Sequence, residues 1–108
     1  MKHLHYPEMD SLDAAAVGLD GAEAVRFKLL SDDTVVLELA PGGHTPDHTH
    51  GDRERVIVMA GTGTVKSNQG LTFIQPADFI EFAPDEPHQI VNSGDDVLVL
   101  ICFRNQGG

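Results

Sequence analysis

The sequence predicts an all-β fold, a β-sandwich or a small barrel, and three observations support that prediction. Apolar and polar residues alternate with a period of two in short segments between residues 25 and 103, as in half-buried strands. Gly, Pro, Asn and Asp separate nearly all of these segments, which is typical of tight turns. No long segment has the apolar period of an amphipathic helix. Short strands joined by tight turns favour a sandwich or barrel.

The strand pattern fills most of the chain. The predicted strands are residues 25–29, 35–39, 55–60, 64–67, 71–75, 79–82, 89–92 and 97–103. Residues 31–33 and 68–70 are predicted turns, and Pro41, Gly42 and Gly43 are a predicted loop. The 108 residues suffice for one domain. We therefore expect an amino-terminal arm at residues 1–23 and a β-barrel domain at residues 24–108.

The sequence leaves two features of this predicted fold undecided. Residues 10–17 suit either a short helical turn or an extended arm lying over the domain. The strands at residues 55–60 and 97–103 are apolar on both faces, so both faces must be covered. A second copy of the chain, in a homodimer, is the favoured cover for the outer face, and the amino-terminal arm is the alternative.

Composition excludes several classes of partner. Seven Lys and Arg residues against seventeen Asp and Glu residues give a net charge of −10, which disfavours nucleic acid and anionic membranes. The single cysteine, Cys102, cannot form an intramolecular disulfide. No apolar run is long enough to span a bilayer, and the first residues lack the apolar stretch of a signal peptide. We therefore expect a cytoplasmic protein that binds neither nucleic acid nor membranes.

Histidines provide the strongest chemical signal. His48 and His50 are two residues apart, so on a strand both side chains point to one face. Glu54 follows a predicted turn, and His88 begins a later strand that strand pairing can bring to the same pocket. Three imidazoles and one carboxylate suit one divalent transition metal, namely Mn²⁺, Fe²⁺, Co²⁺, Ni²⁺, Cu²⁺ or Zn²⁺. The alternative is that the two nearby histidines are ordinary surface or hydrogen-bonded residues.

The segment from Gly42 to Gly61 resembles the first motif of the cupin superfamily, G(X)5HXH(X)3,4E(X)6G, and matches it at every fixed position. The second cupin motif, G(X)5PXG(X)2H(X)3N, is matched at His88 and Asn92. Ala83 and Asp85 stand where that motif has Pro and Gly. These departures concern the geometry of a turn rather than metal-binding atoms.

The resemblance implies a double-stranded β-helix, the jelly-roll barrel of cupins. It also implies that His48, His50, Glu54 and His88 bind one divalent metal inside the barrel. Cupins with these ligands include dioxygenases, decarboxylases and isomerases. The sequence leaves open whether the protein is such an enzyme, a non-catalytic module that binds or senses a small ligand, or a barrel whose site is empty.

Other residues are weaker candidates for the site. His44 either touches a substrate or is a loop residue, and Asp47 either orients a ligand histidine or forms a turn. Cys102 has the strand parity of buried leucines, so we expect an inert buried thiol. Arg53 and Arg55 are expected on the outer face or at an interface.

Overall fold

A computed structural model describes residues 1–17, 20–47 and 51–105, and in these residues the fold is almost entirely β. One 3₁₀ turn (Tyr6–Glu8) precedes the strands. The strands of the described residues are β1 (Leu12–Asp13), β2 (Glu23–Ser31), β3 (Thr34–His44), β4 (Arg53–Ala60), β5 (Gly63–Ser67), β6 (Gly70–Ile74), β7 (Phe79–Phe82), β8 (His88–Val91) and β9 (Leu98–Asn105). The predicted all-β, jelly-roll class is confirmed.

The strands form one curled, antiparallel sheet in the order β6-β5-β8-β3-β9-β4-β7, and β2 also pairs with β3. The long strand β3 joins the two halves of this sheet. Its first part pairs with β9 from Thr34 to Leu39, and its last residue, His44, pairs with Val91 of β8. The curl gives the sheet an inner face, on which the candidate site lies.

Every second side chain along the strands points inward, and these side chains fill the interior of the barrel. On β3 and β9, the inward positions pair directly, with Leu39 opposite Leu98 and Leu37 opposite Leu100. The largest fully buried apolar side chains of this interior are Leu39, Ile74, Ile90, Leu98, Leu100, Val56 and Val58. Burial of a side chain of this kind stabilises a fold by roughly 1.5–3 kcal/mol, so this interior is the main source of stability.

The predicted loop at Pro41, Gly42 and Gly43 is wrong, because β3 continues through it to His44. Gly42 has a φ of 82°, which glycine adopts without strain, and its amide donates to the carbonyl of Asn92. The amide of Asn92 donates in turn to the carbonyl of Gly43. The strand therefore bends at the glycines and keeps its hydrogen bonds.

Asn92 fixes this bend from inside the protein. Its side chain is 1% exposed, and its Nδ2 donates at 2.8 Å to the carbonyls of both Leu39 and Asp96. Its Oδ1 accepts from the amide of Gly94 at 2.9 Å. The Asn92 side chain therefore satisfies three backbone groups at the end of β8.

The amino-terminal segment is extended and runs alongside β2, in agreement with the extended interpretation. Within it, β1 pairs with β2, so that Leu12 lies opposite Phe27. The Ser11 hydroxyl accepts from Arg26 at 2.7 Å, and Lys28 donates to the carbonyl of Tyr6 at 2.9 Å. The helical alternative is wrong for residues 10–17, which form β1 and a turn. The division of the chain at residue 24 stays a prediction.

In the part of the chain that the structure describes, no helix has the length and apolar character required to cross a membrane. The cytoplasmic location stays a prediction.

Candidate functional site

Three side chains form a row across neighbouring strands at one end of the barrel. Glu54 of β4 lies directly opposite Arg104 of β9 and opposite Phe82 of β7. Side chains of directly paired residues lie on the same face of a sheet. The next inward row contains the buried residues Cys102 and Val56. The Glu54 row therefore faces the interior of the barrel.

His88 approaches the row from β8, on the other half of the sheet. Its Nε2 lies 3.3 Å from Oε1 of Glu54, and both residues are buried, with exposed fractions of 6% and 7%. Its Nδ1 donates at 2.9 Å to the carbonyl of Glu86. This bond places a proton on Nδ1, so that Nε2 is the nitrogen directed at Glu54.

The ring of His88 is also held flat against Phe82. The two rings are stacked, with centroids 3.8 Å apart and planes 4° from parallel. Burial by itself lowers the pKa of His88, but the hydrogen bonds to Glu54 and to the Glu86 carbonyl, with the charges of both residues, outweigh it. The pKa of His88 therefore lies above its ordinary value.

Glu54, Arg104 and His88 border a cavity of about 250 Å³. Its polar end contains Glu54, His88 and Arg104, and its walls are mostly aliphatic or aromatic. The described residues that line it are Ala14, Ala22, Val25, Phe27, Leu29, Asp32, Asp33, Thr34, Val35, Leu37, Thr45, Pro46, Glu54, His88, Ile90, Cys102 and Arg104. An apolar cavity with a few convergent polar groups is the usual form of a small-ligand site.

The structure brings together two of the four predicted metal ligands, Glu54 and His88. The other two, His48 and His50, lie outside the described residues. Within residues 1–17, 20–47 and 51–105, no group of three or more His, Cys, Asp or Glu side chains is arranged to hold a metal. The four-residue metal site therefore stays a prediction.

His44 lies on the far side of β8 from His88. It is the last residue of β3, and its Nδ1 lies 3.3 Å from the side-chain amide of Gln89. Alternation along β8 places Gln89 on the opposite face from His88. His44 is not among the described residues that line the cavity, and Asp47 is exposed in a bend.

Cys102 is buried, as its strand parity predicted, with 3% of its surface exposed. Burial raises the pKa of its thiol far above the ordinary value, and the nearby charge of Glu54 raises it further. A thiol held neutral in this way is a poor nucleophile. Cys102 therefore serves as a wall of the cavity.

Arg104 and Thr45 are among the lining residues that the sequence analysis did not single out. Arg104 follows the predicted end of the last strand, yet it has the same parity as Cys102 and therefore faces inward. That parity was the available signal. Thr45 has no such signal, because its place depends on the bend in β3. Its hydroxyl accepts from the amide of Ile90 at 2.9 Å.

Comparison with known proteins identifies a family. A family model described as a cupin domain matches residues 35–104, more than half of the chain. No curated protein sequence is significantly similar to this chain.

Solved structures show the same fold at low sequence identity. The polyketide cyclase RemF from Streptomyces resistomycificus superposes with a TM-score of 0.84 and 22% identity, over 96% of this chain and 78% of that one. A predicted oxalate decarboxylase from Thermotoga maritima gives 0.82 and 19%, over 95% and 97%. A sugar phosphate isomerase from Silicibacter pomeroyi gives 0.77 and 18%, over 97% and 76%. At these identities the likeness concerns the fold alone.

Proposed function

The chain belongs to the cupin domain family, and we propose that it is a metal-dependent enzyme acting on a small oxygen-bearing molecule in the barrel cavity. The observation that carries this proposal is the buried pair of Glu54 and His88, 3.3 Å apart at the cavity's polar end. A carboxylate buried among apolar side chains costs free energy unless a cation or hydrogen bonds compensate it. Arg104 and His88 provide part of that compensation, and a divalent ion bound by the carboxylate and the imidazole would add to it.

The chemistry of this pair fits a metal such as Mn²⁺, Fe²⁺, Co²⁺, Ni²⁺, Cu²⁺ or Zn²⁺. Glu54 supplies a carboxylate oxygen, and the bond from Nδ1 of His88 to the Glu86 carbonyl directs Nε2 at the same point, the arrangement usual for ligand histidines. We propose that His48 and His50 complete the set. When bound, the metal would supply Lewis-acid or redox chemistry.

The chain's own residues would keep the pair in place. Phe82 fixes the plane of the His88 ring by stacking, and Arg104 donates from Nε to Oε2 of Glu54 at 3.4 Å. The apolar walls would exclude water from the reacting end of a ligand. The reaction would be of the dioxygenase, decarboxylase or isomerase kind.

Metal analysis of variants tests this proposal. The wild-type protein is expected to bind one metal per chain, and His48→Ala, His50→Ala and His88→Ala are expected to lose it while remaining folded. His44→Ala is the matched control, because His44 bonds to Gln89 outside the cavity. Stoichiometric metal in His88→Ala, or its loss in His44→Ala, would contradict the assignment.

Turnover distinguishes the enzyme from a non-catalytic module that binds or senses a small ligand, the alternative that the largely apolar cavity lining favours. The metal-loaded protein is to be screened with enols, diketones and carboxylates for oxygen uptake, carbon dioxide release and isomerisation. Consumption of any of these that disappears in Glu54→Gln supports the enzyme. A ligand that binds without being consumed supports the module.

We further propose that the chain forms a homodimer through the outer face of β4, β7 and β9. Apolar side chains of this face include Ile57, Met59, Phe79 and Ile101, and Phe79 is 59% exposed. Beside them, Arg55 pairs with Glu81 at 2.8 Å. A face with both charges is complementary to itself under a two-fold axis, and most small oligomers have that symmetry. The occupant is therefore a second copy of this chain.

A further inference from the structure

We propose that the cavity binds a small organic acid with an apolar body, and that Arg104 binds its carboxylate. This inference rests on the proposed function in that it names the class of substrate for the same site. It is carried by three features of the described residues, namely the walls of the cavity, its volume and the position of the Arg104 guanidinium.

The apolar side chains that line the cavity favour a ligand with an apolar body. Val25 and Phe27 of β2, Val35 and Leu37 of β3, and Ile90 of β8 line the cavity. A ligand that carries polar groups along its whole length would lose water against these side chains and gain no hydrogen bonds in return. A hydrocarbon ring or short chain would instead be stabilised by leaving water.

The volume limits the size of that body. At about 250 Å³, the cavity is slightly smaller than the roughly 300–1,000 Å³ of ordinary ligand pockets. A single ring or a short aliphatic chain fits this space.

Arg104 supplies the positive charge at the polar end. Its side chain is 46% exposed, and its Nε donates to Oε2 of Glu54 at 3.4 Å. In the part of the chain that the structure describes, no acceptor engages its two terminal nitrogens. A guanidinium presents paired N–H groups that match the two oxygens of a carboxylate, so a ligand anion can bind there while Nε stays on Glu54.

One acidic neighbour of Arg104, Asp33, has its carboxylate engaged by other groups. Asp33 also lines the cavity, but its Oδ1 accepts from the hydroxyls of Ser31 and Thr34 at 2.8 and 3.0 Å. Its carboxylate is thus held within the turn between β2 and β3. Its backbone carbonyl accepts from the amide of Arg104 at 2.9 Å, which fixes the strand end that carries the guanidinium.

Binding of simple acids tests the proposal. Benzoate and hexanoate are titrated into the purified protein, with affinity measured by calorimetry and location by methyl shifts in nuclear magnetic resonance. We expect both to bind and to shift the methyls of Leu37 and Ile90, but not those of Ile57 and Ile101 on the outer face. Acetate, which lacks the apolar body, and benzamide, which lacks the charge, are expected to bind more weakly. Equal affinity for acetate and benzoate, or no binding of either longer acid, would overturn the inference.

Variants of arginine isolate the role of the guanidinium. Arg104→Gln is expected to weaken benzoate binding by roughly tenfold or more and to leave benzamide binding unchanged, whereas Arg104→Lys retains part of the affinity. Arg55→Gln is the matched control, because Arg55 lies on the outer face and pairs with Glu81. Wild-type affinity for benzoate in Arg104→Gln would show the proposal to be wrong.

Metal content, measured in the same samples, separates this inference from the proposed function. Arg104-dependent binding of benzoate to protein that never takes up metal would contradict the metal-dependent enzyme and support the acid-binding cavity. Full metal content, together with a benzoate affinity that is unchanged in Arg104→Gln, would support the enzyme and overturn the cavity inference.

Discussion

Glu54 and Phe82 are direct partners across β4 and β7, and the same His88 ring meets both, one through Nε2 and the other through its face. The carboxylate fixes where the imidazole nitrogen lies, and the phenyl ring fixes the plane in which it lies. Two residues from one half of the sheet thus determine the position of a histidine from the other half. This relationship leads to a prediction about the metal.

We predict that Phe82→Leu weakens metal binding while the barrel stays folded. Leucine keeps most of the buried volume but cannot stack on His88, so the imidazole gains rotational freedom that a metal must remove. Partners that orient metal ligands typically contribute about 10–100-fold in affinity, and we expect a loss near the lower end of that range. Competition with a metal-binding dye measures it.

Phe79→Leu is the control for this prediction. Phe79 lies on the same strand as Phe82 but on the outer face, where it is 59% exposed. Its replacement is expected to leave metal affinity unchanged. Equal losses in the two variants would mean that stacking on His88 has no part in metal binding.

A second prediction concerns Asn92, which joins three backbone groups from the interior. Asn92→Ala removes the bonds to the carbonyls of Leu39 and Asp96 and from the amide of Gly94. At about 1 kcal/mol net for each bond, the free energy of unfolding is expected to fall by roughly 3 kcal/mol. Urea unfolding followed by circular dichroism measures it.

Ser93→Ala provides the comparison for Asn92→Ala. Ser93 is the next residue, exposed, and its hydroxyl lies 2.8 Å from that of Thr64. Removing an exposed hydrogen bond of this kind is expected to change the free energy of unfolding by less than about 0.5 kcal/mol. A change in Asn92→Ala as small as this would refute the network's proposed contribution to stability.

The strands could be predicted from the sequence, because a sheet with one buried face requires apolar and polar residues to alternate along each strand. The sequence was misleading at Gly42, where two adjacent glycines suggested a loop. A glycine with positive φ also occurs where a strand bends within a sheet, and the partner that holds this bend, Asn92, lies fifty residues away along the chain. Local pattern does not contain that information.

The site was predictable only in part for the same reason. Glu54 and His88 are brought together by strands that are distant in sequence, and the family resemblance predicted that convergence where periodicity alone did not. Arg104 was missed because a charged residue ended the apolar alternation of β9. Asp85 occupies the second of the two glycine positions in the second motif and has a φ of 63°. The turn thus keeps a left-handed residue without glycine, as Asp tolerates.

The third prediction concerns stability at alkaline pH. Burial raises the pKa of Cys102 above the 9.0 of an exposed thiol, so the folded protein keeps a proton that the unfolded chain loses. The contribution to stability is complete below pH 9 and is lost as pH rises above it, by up to about 1.4 kcal/mol per pH unit. Urea unfolding of the wild type and Cys102→Ala across this range measures it. The difference between the two curves of unfolding free energy against pH separates the contribution of the thiol from those of titrating Tyr and Lys residues. Parallel curves would contradict the prediction.

The last prediction tests the proposed homodimer by sedimentation. At micromolar concentration the wild-type chain is expected to sediment as a dimer, and Phe79→Glu is expected to be monomeric. The substitution places a buried, unpaired charge in the proposed interface, which is costly. In the monomer the same position is 59% exposed, so the fold itself has no reason to be disturbed.

Leu71→Glu separates an effect on this interface from a general effect of added charge. Leu71 is 73% exposed on β6, at the opposite end of the sheet order from β7, and its substitution introduces the same side chain outside the proposed interface. We expect Leu71→Glu to remain dimeric. If Phe79→Glu also remains dimeric, the face of β4, β7 and β9 is not where two chains meet. A monomeric wild type would exclude the dimer itself and leave the apolar outer face without the cover that we propose for it.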